Sequence, residues 1–150
     1  MMNPLYLGME DVVREVAPGV EIYEGQPVTL DLNSKCVPAT DASAVYGVAK
    51  FDRNQYRDLS GFMFHPDARG GLKMTIVKKN IVQLIPNIYD VSPGTQLKHY
   101  VWDNTKVYPI MGKVKVDGTG KITPATGSEV SVFAIVTAVG TDFLELDLLV

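Results

Sequence analysis

The chain is predicted to be mainly β, a compact barrel or sandwich with a short helix or arm at its N-terminus. Three observations predict this. Apolar and polar residues alternate over short runs between Val28 and Leu148, which places one set of side chains on one face of a strand. Turn signals recur between those runs at Pro18-Gly19, Glu24-Gly25, Gly70-Gly71, Pro93-Gly94, Asp117-Gly118, Gly127-Ser128 and Gly140-Thr141. The 13 glycines and 9 prolines of the 150 residues sit between the runs more than within them, where turns need their special backbone angles. Short strands with frequent turns build sandwiches and barrels, whereas βαβ folds need long helical crossovers.

The N-terminal segment is the one helix candidate. Met9, Val12, Val13, Val16 and Ala17 keep the spacing of one helical face, with Glu10, Asp11, Arg14 and Glu15 opposite. Early acidic residues suit a helix dipole and Pro18-Gly19 would stop the helix. About three turns are too few to persist alone in water, so the segment is expected to dock on its own domain or on a neighbour.

Strands are expected to follow. Val28, Leu30 and Leu32 alternate with Thr29 and Asp31; Leu72, Met74 and Ile76 alternate with Lys73 and Thr75. Leu97, His99 and Val101 share one face of a run whose other face carries Lys98, Tyr100 and Trp102. Residues 130–139 are apolar on both faces, while Leu144, Leu146 and Leu148 oppose Phe143, Glu145 and Asp147. Asp52–Gly71 is the least regular stretch and reads as a surface loop. Residues 1–19 are therefore assigned as arm or helix and 20–150 as one β domain. Lys35-Cys36-Val37-Pro38-Ala39-Thr40 is echoed by Lys121-Ile122-Thr123-Pro124-Ala125-Thr126. A true repeat would divide the domain into two related β units, 20–90 and 91–150.

Composition narrows the function. A net charge of −3 gives no basic footprint for nucleic acid, and the lysines at 73, 78, 79, 113 and 115 alternate with apolar residues as strand faces do. One cysteine, Cys36, excludes an intrachain disulfide and a cysteine-based zinc site. No signal-peptide pattern opens the chain and no run approaches a membrane-spanning helix, so a cytosolic type of compartment and no membrane partner are expected.

Catalytic chemistry is not expected either. His65 lies in a turn-like Phe64-His65-Pro66-Asp67 and His99 in an alternating run, neither with a carboxylate at metal-ligand spacing. Asp117-Gly118-Thr119-Gly120-Lys121 leads into Ile122-Thr123-Pro124, which opens no helix to hold phosphate and reads as a hairpin turn. Asp31, Asn33 and Ser34 are too few for a calcium loop. The chain is read as no enzyme, with no cofactor and no metal. Tyr100, Trp102 and Lys98 could form a stacking platform for sugars or bases, or fill a subunit contact. A positive mean hydropathy of +0.07 argues for apolar surface hidden by assembly.

One family is similar in pattern. The run Val20-Glu21-Ile22-Tyr23-Glu24-Gly25-Gln26-Pro27-Val28-Thr29-Leu30-Asp31, then Lys35–Thr40, then Tyr46-Gly47-Val48-Ala49, resembles the capsid decoration (cement, head-stabilising) proteins of tailed bacteriophages. Ser92-Pro93-Gly94-Thr95 and Met111-Gly112-Lys113-Val114 extend the likeness. The resemblance covers residues 20–51 best and 92–149 loosely. It implies a β-barrel or β-tulip module on the exterior of an icosahedral capsid, made in the host bacterial cytoplasm. Its partners would be the major capsid protein and itself, as a homo-trimer first and a dimer second. No binding residue is carried over from the family; the candidate capsid or subunit contacts are Leu5, Tyr6, Met9, Val12 and Val13 of the arm and Phe62 and Phe64 of the 52–71 loop, because those segments depart from the barrel pattern, together with the aromatic Tyr100 and Trp102. Two rivals stand beside it. One is another virion module, of tail, baseplate or glycan-binding type; the other is a trimeric β enzyme of the dUTPase type, whose motifs are missing here.

Overall fold

The structure is a computed structural model that describes residues 2–4, 11–50 and 73–150. Thirteen strands and no helix lie among the described residues: β1 Met2–Pro4, β2 Val12–Glu15, β3 Pro27–Leu30, β4 Cys36–Pro38, β5 Gly47–Lys50, β6 Lys73–Val77, β7 Ile81–Leu84, β8 Asn87–Ser92, β9 Thr95–His99, β10 Lys113–Val116, β11 Ile122–Pro124, β12 Ala134–Gly140 and β13 Phe143–Leu148. The mainly β class is therefore as expected. The 52–71 stretch, with Phe62, Phe64 and His65, lies outside the described residues, as do Leu5, Tyr6 and Met9.

The N-terminal helix is corrected to a strand. Val12–Glu15 pairs antiparallel with β6, Val12 opposite Ile76 and Glu15 opposite Lys73. The segment satisfies both periods, because Val12, Val13 and Val16 are apolar at helical spacing and also β-branched. A ready partner strand then decides the outcome, since β-branched residues are stiff in helices and pack well on a pleated sheet. Glu15 also reaches Lys35 across the sheet in an ion pair. The 130–139 run differs as well: its strand begins only at Ala134. Glu129 accepts the amides of Thr126 and Gly127 at 3.1 and 3.0 Å, winding the preceding residues into a loop.

The strands form a six-stranded sheet, β1-β7-β13-β12-β10-β11, a five-stranded sheet, β2-β6-β5-β3-β4, and a separate β8–β9 hairpin. Apart from β1, the two larger sheets have the same plan. The β3–β4 hairpin pairs Val28 with Pro38 and Leu30 with Cys36; the β10–β11 hairpin pairs Val114 with Pro124 and Val116 with Ile122. Each residue is displaced by 86 positions, 36 becoming 122. The turns agree atom for atom. Asp31 Oδ1 accepts the amides of Asn33 and Lys35, and Asp117 Oδ1 those of Thr119 and Lys121. Ser34 and Gly120 both take positive φ, 60° and 87°.

The same correspondence runs through each sheet. Gly25 and Met111 are equivalent, both at positive φ and donating to Ala49 O and Val136 O. The β2–β6 register, Val12 opposite Ile76, is matched by β7–β13, Val82 opposite Leu146. Unit one spans 12–77 and unit two 81–148. Each unit has one parallel bridge to the outer strand of its hairpin, from Val16 just after β2 to Cys36 of β4 and from Trp102 just after β9 to Ile122 of β11. These are isolated bridges, and no closed barrel is formed among the described residues.

Two cores result. The larger joins Ala39, Val45, Val48 and Val77 of unit one to Trp102, Val116, Ile122, Phe133, Leu144 and Leu146 of unit two. The smaller lies within unit one around Val16, Ile22, Val28, Cys36, Met74 and Ile76. Burial of these side chains from water is the main favourable contribution to the fold.

Candidate interaction surface

Tyr100 and Trp102, read in the sequence as either a stacking platform or a subunit contact, do not form an open platform. Trp102 is 5% exposed and lies in the larger core, because the chain after β9 turns inward to bridge Ile122. Tyr100 meets it edge to face at 5.0 Å and donates from its hydroxyl to Asp142 Oδ1 at 2.6 Å. Lys98 Nζ reaches the other oxygen of Asp142 at 2.9 Å. Asp142 is thereby held below the usual carboxylate range, first by the Tyr100 hydrogen bond and then by that of Lys98. This group anchors the β8–β9 hairpin to the β12–β13 turn. Buried in this way, Trp102 offers no open face to a sugar.

His99 fills a small cleft of about 100 Å³ with Tyr23, Gln26, Val101, Thr119, Gly120 and Lys121. Its ring stacks on Tyr23 with centroids 3.6 Å apart and planes 6° from parallel. Burial first, and the nearby Lys121 charge second, push its pKa down to about 4. Its Nδ1 is buried without a hydrogen-bond partner among the described residues. The cleft is well below the volume of pockets that enclose drug-sized ligands. Cys36, its thiol pushed up to about 12 by burial, belongs to the smaller core and lacks thiolate character. Among the described residues no three His, Cys, Asp or Glu side chains gather as metal ligands.

The surface offers apolar side chains instead. Val107, Ile110 and Met111 lie exposed in the loop that leads to β10, three large apolar groups within five residues. The loop is held firmly. The hydroxyl of buried Tyr108 lies 2.8 and 3.0 Å from the carbonyls of Asp103 and Ile122, which share its one proton, and the Met111 amide donates to Val136 O at 2.8 Å. Burial raises the Tyr108 pKa above its ordinary value, as does the Asp103 charge. Met111 occupies a left-handed conformation, φ 68°, where unit one places Gly25. That conformation is unfavourable for an L residue by roughly 1–2 kcal/mol, yet a methionine 71% exposed stands there.

Of the residues expected to make contacts, Val12 is half-buried on β2 and Val13 is 54% exposed beside it. Sequence reading missed Val107, Ile110 and Met111, which fall in no alternating run. The available signal was their clustering between Asp103 and Gly112 without a polar partner face. No helix of the described residues is long and apolar enough to cross a membrane. No protein-family model and no curated protein matches the chain.

Proposed function

We propose that the chain is a structural virion protein that binds the outer surface of an icosahedral phage capsid and stabilises the lattice by bridging neighbouring capsomers. The observation that carries this reading is the firmly anchored apolar loop Val107–Met111, with its strained, exposed methionine. Backbone strain persists where surrounding contacts impose it, and it gathers at functional positions. Methionine suits an adaptable contact surface. The resemblance of residues 20–51 to decoration proteins supplies the partner, the major capsid protein. The bridge from Val16, next to β2, to Cys36 of β4 draws the two ends of the five-stranded sheet together and supports a barrel-like, β-tulip-type unit.

The mechanism is mass action. A ligand with higher affinity for the assembled lattice than for its separated parts shifts the equilibrium toward the lattice. Copies bound at many junctions add their modest affinities through multivalency. Homo-oligomers, trimers first, are part of the proposal, because the exposed Val13 of β2, apart from that loop, is apolar surface that assembly would cover.

Co-sedimentation of the purified chain with empty mature capsids tests the reading. Saturable binding is expected, with later capsid melting and a marked loss in an Ile110→Asp, Met111→Asp variant. A glycan-binding virion module would leave capsids unbound and retain labelled glycans instead.

A further inference from the structure

The two units differ at one edge. In unit two the outer edge of β7 carries β1: Met2 opposite Leu84, Asn3 opposite Gln83, Pro4 opposite Val82. The equivalent edge of unit one is β2, by a displacement of 70 positions, 82 becoming 12. Among the described residues no strand pairs with that edge, since β2 ends its sheet. Val13, the counterpart of Gln83, is 54% exposed there, and its carbonyl accepts a hydrogen bond of 3.0 Å from the side chain of its neighbour Arg14. An end strand with exposed main chain is a template for another strand.

We propose that the outer edge of β2 is a strand acceptor, and that its occupant is the N-terminal Met2–Pro4 segment of a second copy of this chain. The same plan of strands has two equivalent edges, and one already holds this segment in a defined antiparallel register. Carried across by the 70-residue displacement, the register sets Asn3 of one copy opposite Val13 of the other, with Pro4 opposite Val12 and Met2 opposite Arg14. Pro4 is tolerated in such a place because an added edge strand needs no outward donor. Valine at 13 favours a paired strand more than the glutamine at 83 does. Moving the segment from its own β7 to a neighbour's β2 replaces one strand pair by a comparable one, so the exchange is cheap and concentration decides it. Repeated head to tail it closes a ring; reciprocated between two copies it makes a dimer.

The test is a crosslink between full-length copies. An Asn3→Cys chain mixed with a Val13→Cys chain, under mild oxidation, is expected to give a covalent one-to-one heterodimer, since directly opposed antiparallel residues bring their Cβ atoms within disulfide reach. It should form at least about tenfold faster than with a Val139→Cys chain, whose cysteine is exposed away from this edge, because a seated strand raises the effective concentration. Buried Cys36 stays out of the exchange. Equal rates for the two mixtures overturn the proposal. Amide exchange on the unaltered chain gives a second readout: protection at Val12–Arg14 should rise with protein concentration, and exchange independent of concentration overturns the proposal as well. Neither readout uses a capsid, so a failure here is distinct from a failure of the decoration reading.

Discussion

His99 is a neutral side chain held in a half-buried stack, and its titration sets a pH window for stability. Its folded pKa lies near 4, lowered from an ordinary 6.5 by burial and by Lys121. Between those values the unfolded chain binds a proton that the folded chain refuses, so stability rises with pH across that range. The contribution is complete above about pH 6.5, shrinks as pH falls toward 4 and changes no further below it. Discounted for the exposed half of the ring, the loss between pH 7.5 and 5 is about 1 kcal/mol. Urea unfolding at those two pH values should reveal it in the native chain and not in His99→Phe, which keeps the stack on Tyr23 without titrating. Glu129, held down at about 2 chiefly by the Thr126 amide, loses its contribution only below its ordinary 4.5, outside that window. Gly47 sets a second constraint at this scale. A Cβ there would stand 2.5 Å from Ile76 Cγ2 and 2.8 Å from the Val77 carbonyl oxygen. Unit two places Ala134 at the equivalent position opposite Val114. Gly47→Ala is therefore expected to destabilise the fold by about 2–3 kcal/mol, read as a lowered urea midpoint, whereas Ala134→Gly should cost about 1 kcal/mol.

At the scale of elements, the two Asp-centred hairpin turns make opposite predictions for one conformation. Ser34 is held at φ 60° where unit two has Gly120 at φ 87°. Ser34→Gly relieves left-handed strain and should be neutral or stabilising by up to about 1 kcal/mol. Gly120→Ala imposes that strain and brings its Cβ to 3.0 Å from Gln26 Nε2, so it should cost about 1–2 kcal/mol. Thermal melting of the pair checks both signs, and equal shifts would sink the equivalence of the turns. The Asp117 hairpin was legible, because Asp117-Gly118 is local turn chemistry, whereas the Asp31 turn lacks such a pair. The arm at 12–15 was misread because its valines satisfy helical spacing and strand propensity together, and the choice was made by β6, some sixty residues away in sequence. The apolar loop was illegible for a related reason. Whether Val107 and Ile110 are inside or outside depends on where Tyr108 is anchored, and that is a contact with Ile122, not a pattern. Met111→Gly removes the exposed side chain and the left-handed strain together. It should change stability by less than about 1 kcal/mol while weakening capsid co-sedimentation severalfold.

At the scale of the whole molecule, the repeated plan raises the question of whether the two units are separable. The six-residue echo K-x-x-P-A-T, with Asp31 and Asp117 four residues before it, is the clearest hint of the repeat in the sequence. The rest of the correspondence is carried by register and hydrogen bonds, which tolerate different side chains at equivalent places, such as Val16 for Trp102 or Gly25 for Met111. The core answers the question. Val48 and Val77 of unit one lie in one continuous cluster with Val116, Ile122, Phe133 and Leu146 of unit two. Unit two alone would expose its side of that cluster to water, and at about 70 residues it could not spare the burial. One cooperative unfolding transition is therefore expected for the full chain, with calorimetric and van't Hoff enthalpies equal. A chain of residues 81–150 on its own should give no sharp melt. Two resolved transitions, or a folded isolated unit, would show that the shared core is not what unites the molecule. The outcome bears on the proposed role, because a module that bridges two capsomers transmits load only if its halves cannot part before it detaches. A single transition would make the chain one mechanical body, able to pass load from the apolar loop of unit two into unit one without its halves parting.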